Sequence, residues 1–328
     1  MYASEDLRQD ASLVLAAIEN TGSALLYAAP SLRKSPEFML AAMHKTVLAL
    51  EYASEELLQS KQFMLRALAV DGEALRHCPV WMQGDKGVVL AAVRTSGRAL
   101  FHANFAVRSD KDVVLAALRQ NSGAGLFMSD SLRSDKEFFL KVVKIHGEAL
   151  VWAANQVLSD PDVALEAVKQ APQALKITAT ACRANYGIVE AAVRQDGMLL
   201  RLALPSLRAD KGLVLTAVEN CPLAFQFASE DVKGDHAFAL YAIERSKSGA
   251  IMQFMPYELQ DDHSVVEAAV AHEGTALQYA SDELRRNVAV VSAAVRNDCD
   301  AFDYALGDEA RGDKAILLSA VSQVRDWR

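Results

Sequence analysis

Apolar and polar positions along this chain recur every 25 residues. Residues 2–26 (YASEDLRQDASLVLAAIENTGSALL) are followed by YAAPSLRKSPEFMLAAMHKTVLALE and YASEELLQSKQFMLRALAVDGEALR. Repeats start near 2, 27, 52, 77, 102, 127, 152, 177, 202, 227, 254, 279 and 304. Two extra residues sit in the tenth repeat near Ser246 to Gly249, and the last slips by one residue around Asp308 to Gly312. A fixed period of this length is the signature of a repeat architecture.

Within a repeat, positions 12, 13, 16 and 17 are apolar, as in Val88, Val89, Ala92 and Val93 of the fourth, which is one face of a helix at 3.6-residue spacing. Position 9 holds a helix-capping residue every time: Asp10, Ser35, Ser60, Asp85, Asp110, Asp135, Asp160, Asn185, Asp210, Asp235, Asp262, Asn287 and, after the slip, Asp313. Such side chains accept from the unpaired amides of a first helical turn. Pro36 and Pro161 follow the cap at the first helical position, where proline fits best. Glycine at position 21 (Gly22, Gly72, Gly97, Gly147, Gly197, Gly274) is expected to stop this helix. Ala-Leu at positions 23 and 24, with the aromatic and small residues opening the next repeat, predict a short second helix that must be held by packing. Leucine at position 14 in most repeats adds a second apolar edge, as stacked neighbours require. The pattern predicts an all-α fold, an α-solenoid of about thirteen 25-residue helix-turn-helix repeats. It runs as one continuous array over residues 1–328, with no room for a separate catalytic domain.

The units opening YASEDLR, YASEELL and YASDELR, each leading into a (V/F)(V/M)LAA(V/M/L) helix and a G-x-A-L turn, resemble the repeat of the family called domain of unknown function 4116. The resemblance covers essentially the whole chain. It implies helical repeats of the kind found in microbial and algal proteins, carries no assigned activity, and transfers no functional residue. Repeats four, eight and thirteen (HCPVWMQ, ITATACR, YALGDEAR) depart most from the pattern.

Composition narrows the possible partners. Hydrophobic content of 52% with 23% charge excludes wholesale disorder, and a net charge of −8 lacks the basic footprint of nucleic-acid binding. The longest apolar runs, such as Val88 to Val93, fall far short of the ~20 residues of a membrane span, so no membrane insertion is expected. No signal peptide is visible, and Cys78, Cys182, Cys221 and Cys299 show no paired spacing, so they are expected as free thiols. The expectation is a soluble intracellular protein of the cytoplasm or an organelle interior.

Candidate chemistry is sparse. His77 and His102 replace the aromatic residue in adjacent repeats, with Cys78 beside the first; packing in place of Tyr explains them better than a metal, which would need further ligands. Glu190 and Glu267 stand where most repeats have Leu, but they are three repeats apart and read as solvent-facing. Arginines at position 7 (Arg8, Arg33, Arg108, Arg133, Arg183, Arg208, Arg285) form a broken row, expected to pair with nearby acids or helix-end carbonyls. No Gly-rich phosphate loop, GxSxG elbow or HExxH helix occurs. No catalytic, cofactor or metal residue is therefore assigned. The expected role is a non-catalytic protein-binding scaffold or adaptor; the alternative is a structural subunit embedded in a larger assembly, and an enzyme with a cryptic site is more remote.

Two surfaces invite a protein partner. Position 25 is polar in most repeats but is Phe101, Leu126 and Val151 in repeats four to six, and the nearby loops add Val80, Trp81 and Phe105. These six either form an exposed stripe or are covered by loops folding back, and Gly125 suggests a local shift of register. The first repeat opens inside the consensus with no atypical cap, which suggests a longer array or neighbouring chains covering that end. The thirteenth, with Glu309 near an apolar position, looks like a frayed stop.

Overall fold

A computed structural model describes residues 4–325 of the chain. Among these residues there are 25 α-helices, 13 3₁₀ helices and no strand, arranged as an all-α repeat solenoid. The described residues fall into two compact halves divided between Glu166 and Ala167.

Each of the first twelve repeats holds three helical segments rather than two. In the fourth they are a short helix over Val80–Gln83, a long helix over Lys86–Thr95 and a 3₁₀ helix over Gly97–His102. All thirteen position-9 residues cap the long helix. Asp110, for example, accepts from the amides of Asp112 at 2.9 Å and Val113 at 3.2 Å. The long helix ends because position 20 is extended: Ser96 has φ −140° and ψ 109°, and its amide closes back on the Ala92 carbonyl. Only six residues then remain before the next turn, and they wind into the tighter 3₁₀ form, as short helical pieces often do. The short helix, absent from the expectation, has its own cap at position 3: Ser54 accepts from Leu57 N and Asn104 from Val107 N.

Glycine at position 21 does not terminate the helix by a left-handed turn. It opens the 3₁₀ helix where that helix presses on the next repeat: a Cβ on Gly97 would lie 2.5 Å from the Ala117 carbonyl oxygen, and one on Gly197 would lie 2.2 Å from that of Ala217. The glycine amide is held by the position-19 side chain of that same next repeat, Gln120 for Gly97 and Asn220 for Gly197. The two-residue insertion lengthens the tenth long helix to Ser246 and places Lys247 in a left-handed conformation, φ 52°. The slip in the thirteenth is absorbed at Gly307, φ 80°, before a five-residue helix over Asp308–Gly312.

In the N-terminal half the long helices of successive repeats pack side by side, as do the 3₁₀ helices. Positions 12, 13, 16, 17, 23 and 24 form the core, joined by position 6 of the short helix (Leu57, Met82, Val107, Leu132, Val157). A backbone hydrogen bond stitches neighbours together, from position 3 to the position-7 carbonyl of the preceding repeat: Ser54 to Arg33, Asn104 to Gln83, Ser129 to Arg108. A charge ladder adds to it. The lysine after one cap reaches the capping aspartate of the next repeat: Lys61 to Asp85 at 2.5 Å, Lys86 to Asp110 at 2.8 Å, Lys111 to Asp135 at 2.5 Å and Lys136 to Asp160 at 2.9 Å. The C-terminal half repeats the scheme with Lys211 to Asp235 at 2.5 Å.

The outer repeats reveal which core positions face which way. In the first, position 12 (Leu13) is 45% exposed, whereas its equivalents Val88 and Val113 are fully buried. In the thirteenth the polarity reverses: Ile316 at position 12 is buried, while Leu317 at 13 and Val321 at 17 are 39% and 53% exposed. Positions 13 and 17 of one repeat thus pack on position 12 of the next.

Candidate interaction surface

All six apolar residues singled out in repeats four to six are exposed: Val80 by 78%, Trp81 51%, Phe101 58%, Phe105 67%, Leu126 56% and Val151 52%. The loops do not fold back over the stripe. In repeats four to six, positions 23 and 24 of the 3₁₀ helix are buried (Ala99 and Leu100, Ala124 and Gly125, Ala149 and Leu150), and position 25, which follows them, faces solvent.

Their adjacency follows from the repeat. Between the first and second repeats a groove is lined by Glu5, Arg8, Leu26, Tyr27, Pro30 and Arg33. Three repeats on, the same positions carry Val80, Gln83, Phe101, His102, Phe105 and Arg108 on the same elements, so Phe101 stands between Val80 and Phe105. A second groove, lined by Lys34, Glu55, Glu56 and Gln59, maps one repeat on to Gln59, Val80, Trp81 and Gly84. In agreement, the Trp81 indole donates to Gln59 Oε1 at 3.3 Å. Trp81, Val80, Phe101 and Phe105 therefore form one run, continued by Leu126 in the next groove. Val151 is one repeat further, flanked at position 4 by Asp130 and Asn155, and closes the run.

The surface rests on a rigid floor. The Phe101 ring leans on Phe127, with centroids 5.2 Å apart. Arg133 donates to the carbonyls of Gly125 at 3.1 Å, Leu126 at 2.8 Å and Trp152 at 3.1 Å. Gln83 does the equivalent job for Leu75 and Cys78, and in the C-terminal half Arg285 donates to Tyr304 O at 2.8 Å. These residues serve helix-end carbonyls, as expected for position 7. Gly125 marks no register shift, since its 3₁₀ helix, Ser122–Phe127, has the usual span. It is small because the Trp152 indole lies on it: an added Cβ would be 2.2 Å from Trp152 Cδ1, and the indole nitrogen donates to Ser122 O at 3.0 Å.

The other candidates do not assemble into sites. His77 accepts from Arg76 Nε at 2.8 Å, and burial, then the Arg76 charge, hold its pKa low. His102 turns to Glu73 at 3.4 Å. Burial pushes the Cys78 thiol up to about 12, so it is neither a ready metal ligand nor a nucleophile. Cys78, Cys221 and Cys299 are free thiols. Glu190 pairs with Arg194 at 2.6 Å and Glu267 with His263 at 3.6 Å, each one turn along its own helix. Asp298, Cys299 and Asp300 crowd together, but the Asp298 carboxylate caps the Asp300 amide, and burial with both carboxylates keeps the Cys299 thiol protonated. Among the described residues no helix is long and apolar enough to cross a membrane. Position 25 is apolar and exposed in the first repeat as well, where Leu26 is 55% exposed. The signal lies in the sequence, where Leu26 stands at a position that is polar in most repeats.

Compared with known families, the model described as domain of unknown function (DUF4116) matches seven times in tandem. The matches cover residues 35–83, 85–133, 135–178, 185–233, 210–260, 235–285 and 262–309. Every match opens on a capping residue at position 9, and most close at position 7 two repeats later, at the end of a short helix. The recurring block is therefore long helix, 3₁₀ helix, short helix, taken twice. No curated protein and no solved structure matches the chain.

Proposed function

The chain belongs to the DUF4116 family of tandem helical repeats, and from that premise we propose that it is a non-catalytic scaffold that binds another protein. The contact surface in this proposal is the run Trp81, Val80, Phe101, Phe105, Leu126 and Val151. The observation that carries it is a concentration of large exposed apolar side chains in consecutive repeats, at positions that hold Glu51 and Arg76 (position 25), Glu55 (position 4) and Glu56 (position 5) in the repeats just before. Exposed apolar residues elsewhere in the chain's interior, such as Tyr186, Tyr241 and Tyr257, stand singly. Isolated residues of that kind are ordinary on a protein surface, whereas the largest contiguous apolar patch of a protein is often a functional one. Confinement to a few repeats favours a discrete partner over embedding of the whole array in an assembly. Stacked equivalent positions are how repeat proteins build extended binding surfaces.

The test compares the wild type with Phe101→Gln/Leu126→Gln as baits in the native source, with co-purifying proteins identified and the binding of each then measured with pure components. A partner held by the wild type and lost by the double variant, at unchanged helicity and melting, supports the proposal. A variant that unfolds, or that retains every partner, refutes it.

A further inference from the structure

Position 18, at the end of the long helix, carries an unbroken run of exposed bases in repeats four to six: Arg94, Arg119 and Lys144. None of the three has an ion pair among the described residues. The last turn of a helix favours a positive side chain, but the fold does not require one here. Position 18 is Glu19 in the first repeat, Ala69 in the third, and Glu219 and Glu244 in the ninth and tenth. Where it is acidic, a base at position 19 of the next repeat meets it: Lys45 meets Glu19, Arg245 meets Glu219 at 2.5 Å, and His272 meets Glu244 at 3.3 Å. In repeats four to six the sign at 18 is reversed and the neighbour does not follow. Position 19 of the next repeat is Gln120 beside Arg94 and Ile145 beside Arg119. Gln120 is turned to the backbone, donating to Thr95 O at 3.2 Å and accepting from Gly97 N. Other acids of this region are engaged, Asp112 with Lys86 at 2.8 Å and Glu73 with Ser96 at 2.7 Å and His102 at 3.4 Å. Lys141, exposed and three residues before Lys144, adds a fourth charge, and Glu148, four residues after Lys144, forms no ion pair with it.

We propose that this row binds an extended acidic segment of a partner protein, which crosses the array with a carboxylate at about every third residue. The long helices of these repeats pack side by side, so their equivalent bases stand about 8–10 Å apart. An extended chain rises about 3.3 Å per residue, so three residues span one step of the row. Nucleic acid fits the row less well. Single-strand sites interleave charge with exposed aromatic rings, and the aromatic residues of these three helices, Phe138 and Phe139, are buried. The row lies on the long helices and the apolar run on the 3₁₀ and short helices, so the two readings are independent.

The probe is a fluorescein-labelled peptide of about five Glu-Ser-Gly triplets, titrated with the full chain at low ionic strength and followed by anisotropy. Binding is expected, weakening as salt is raised and lost when Gln replaces each Glu of the peptide. Arg94→Gln, Arg119→Gln and Lys144→Gln should each lower the affinity about two- to fivefold, and the three together at least about tenfold. All three side chains are exposed, so helicity and melting should match the wild type, and the single variants carry the reading if the triple variant loses stability. Lys45→Gln/Arg66→Gln/Arg245→Gln removes the same net charge from bases already paired with Glu19, Glu37 and Glu219, and should lower the affinity less than about twofold. No binding at low salt, binding indifferent to the loss of Arg94, Arg119 and Lys144, or an equal loss in both triple variants overturns the proposal. So does an oligouridylate that binds more tightly than the peptide through the same three bases, since the row would then be a nucleic-acid site. Phe101→Gln/Leu126→Gln should leave peptide affinity unchanged; a loss there would place the peptide on the apolar run and overturn the proposal as well.

Discussion

Gly125 and Trp152 make a size exchange whose energetics can be worked out from the structure. Position 24 is Leu in most repeats, and Leu100 and Leu150 on either side of Gly125 are fully buried. Restoring the consensus with Gly125→Leu would drive a side chain into an indole whose Cδ1, Cγ and Nε1 already lie 2.2, 2.5 and 2.8 Å from an added Cβ. The indole cannot swing away freely, because its nitrogen is bonded to Ser122 O. Overpacking of this kind costs about 1–3 kcal/mol, and losing the indole hydrogen bond adds about 1 kcal/mol. Trp152→Tyr alone restores the residue common at position 1 but leaves a gap over Gly125, at a cost of about 1–2 kcal/mol. Together the two changes recreate the arrangement of the neighbouring repeats, so the double variant should recover most of both losses, a coupling of about 2 kcal/mol. The assay is urea unfolding followed by far-UV circular dichroism, with amide exchange at Leu126 and Ala153 as a local readout. Additive losses, with coupling below about 0.5 kcal/mol, would falsify the claim that Gly125 is small because of Trp152.

Two further predictions follow from the repeat interface. The caps Asp85, Asp135 and Asp235 have pKa values held low, first by the lysine of the preceding repeat and then by the helix amides; at Asp110 and Asp160 burial acts upward and is the largest single effect, but lysine and amides together outweigh it. A depressed folded pKa gives stability that is complete above the unfolded value of about 3.9 and is lost as pH falls through the folded value. The urea midpoint should therefore hold level from about pH 7 to 5 and drop below about pH 4, and changing these five residues to Asn should preserve capping while reducing that drop; a fall already evident between pH 7 and 5 would count against the ladder. The second prediction separates the glycines. Gly97→Ala should destabilise by about 2 kcal/mol or more because its Cβ would meet a backbone carbonyl that cannot move, whereas Gly187→Ala, near only Asn185 Oδ1 at 3.5 Å, should be neutral or stabilise by up to about 1 kcal/mol as helix propensity improves. Equal effects in thermal melts would refute the account of position 21.

Much of this architecture was legible in the residues, and what was not has identifiable causes. The period, the long helix and all thirteen caps could be read because each depends on side-chain chemistry at fixed spacing. The insertion at Ser246 and Lys247 could be located because it broke that spacing. The short helix was overlooked because four residues give no periodic pattern, although Ser4, Ser54 and Ser229 at position 3 were capping signals in plain view. The role of glycine at position 21 could not be read, since helix termination and close approach call for the same residue and only the Ala117 and Ala217 carbonyls distinguish them. The lysine–aspartate ladder joins residues 24 apart, one short of the period. The two columns looked like independent surface features until the stacking brought them together. At the surface, helical phase turned Phe101, Leu126 and Val151 away from the core, but whether the loops covered them was open in the sequence, because loop conformation carries no periodic signal. Their continuity through Val80 and Phe105 needed the groove between repeats.

A repeat also offers an internal control that a globular domain lacks, and this gives the candidate surface its weight. An apolar side chain carries information about binding only where the fold does not require it, and in most proteins that requirement must be guessed. Here the same position is sampled many times under nearly the same packing. Positions 13, 17, 23 and 24 are apolar throughout the interior because neighbouring repeats close over them, so Val89 or Leu100 says nothing about a partner. Position 25 accepts Glu51 and Arg76, joined by an ion pair at 3.4 Å, in repeats that fold as the fourth does. Position 4 accepts Glu55, Asp130 and Asn155. Folding therefore places no demand for Phe at 101 or 105 or for Leu at 126. Leaving these side chains in water forgoes about 25 cal/mol for each Å² that a partner would cover, a free energy the array does not recover by itself. The fold explains the apolar stripe inside each repeat, whereas it makes no use of the stripe across repeats four to six, which is the observation the proposed partner would account for.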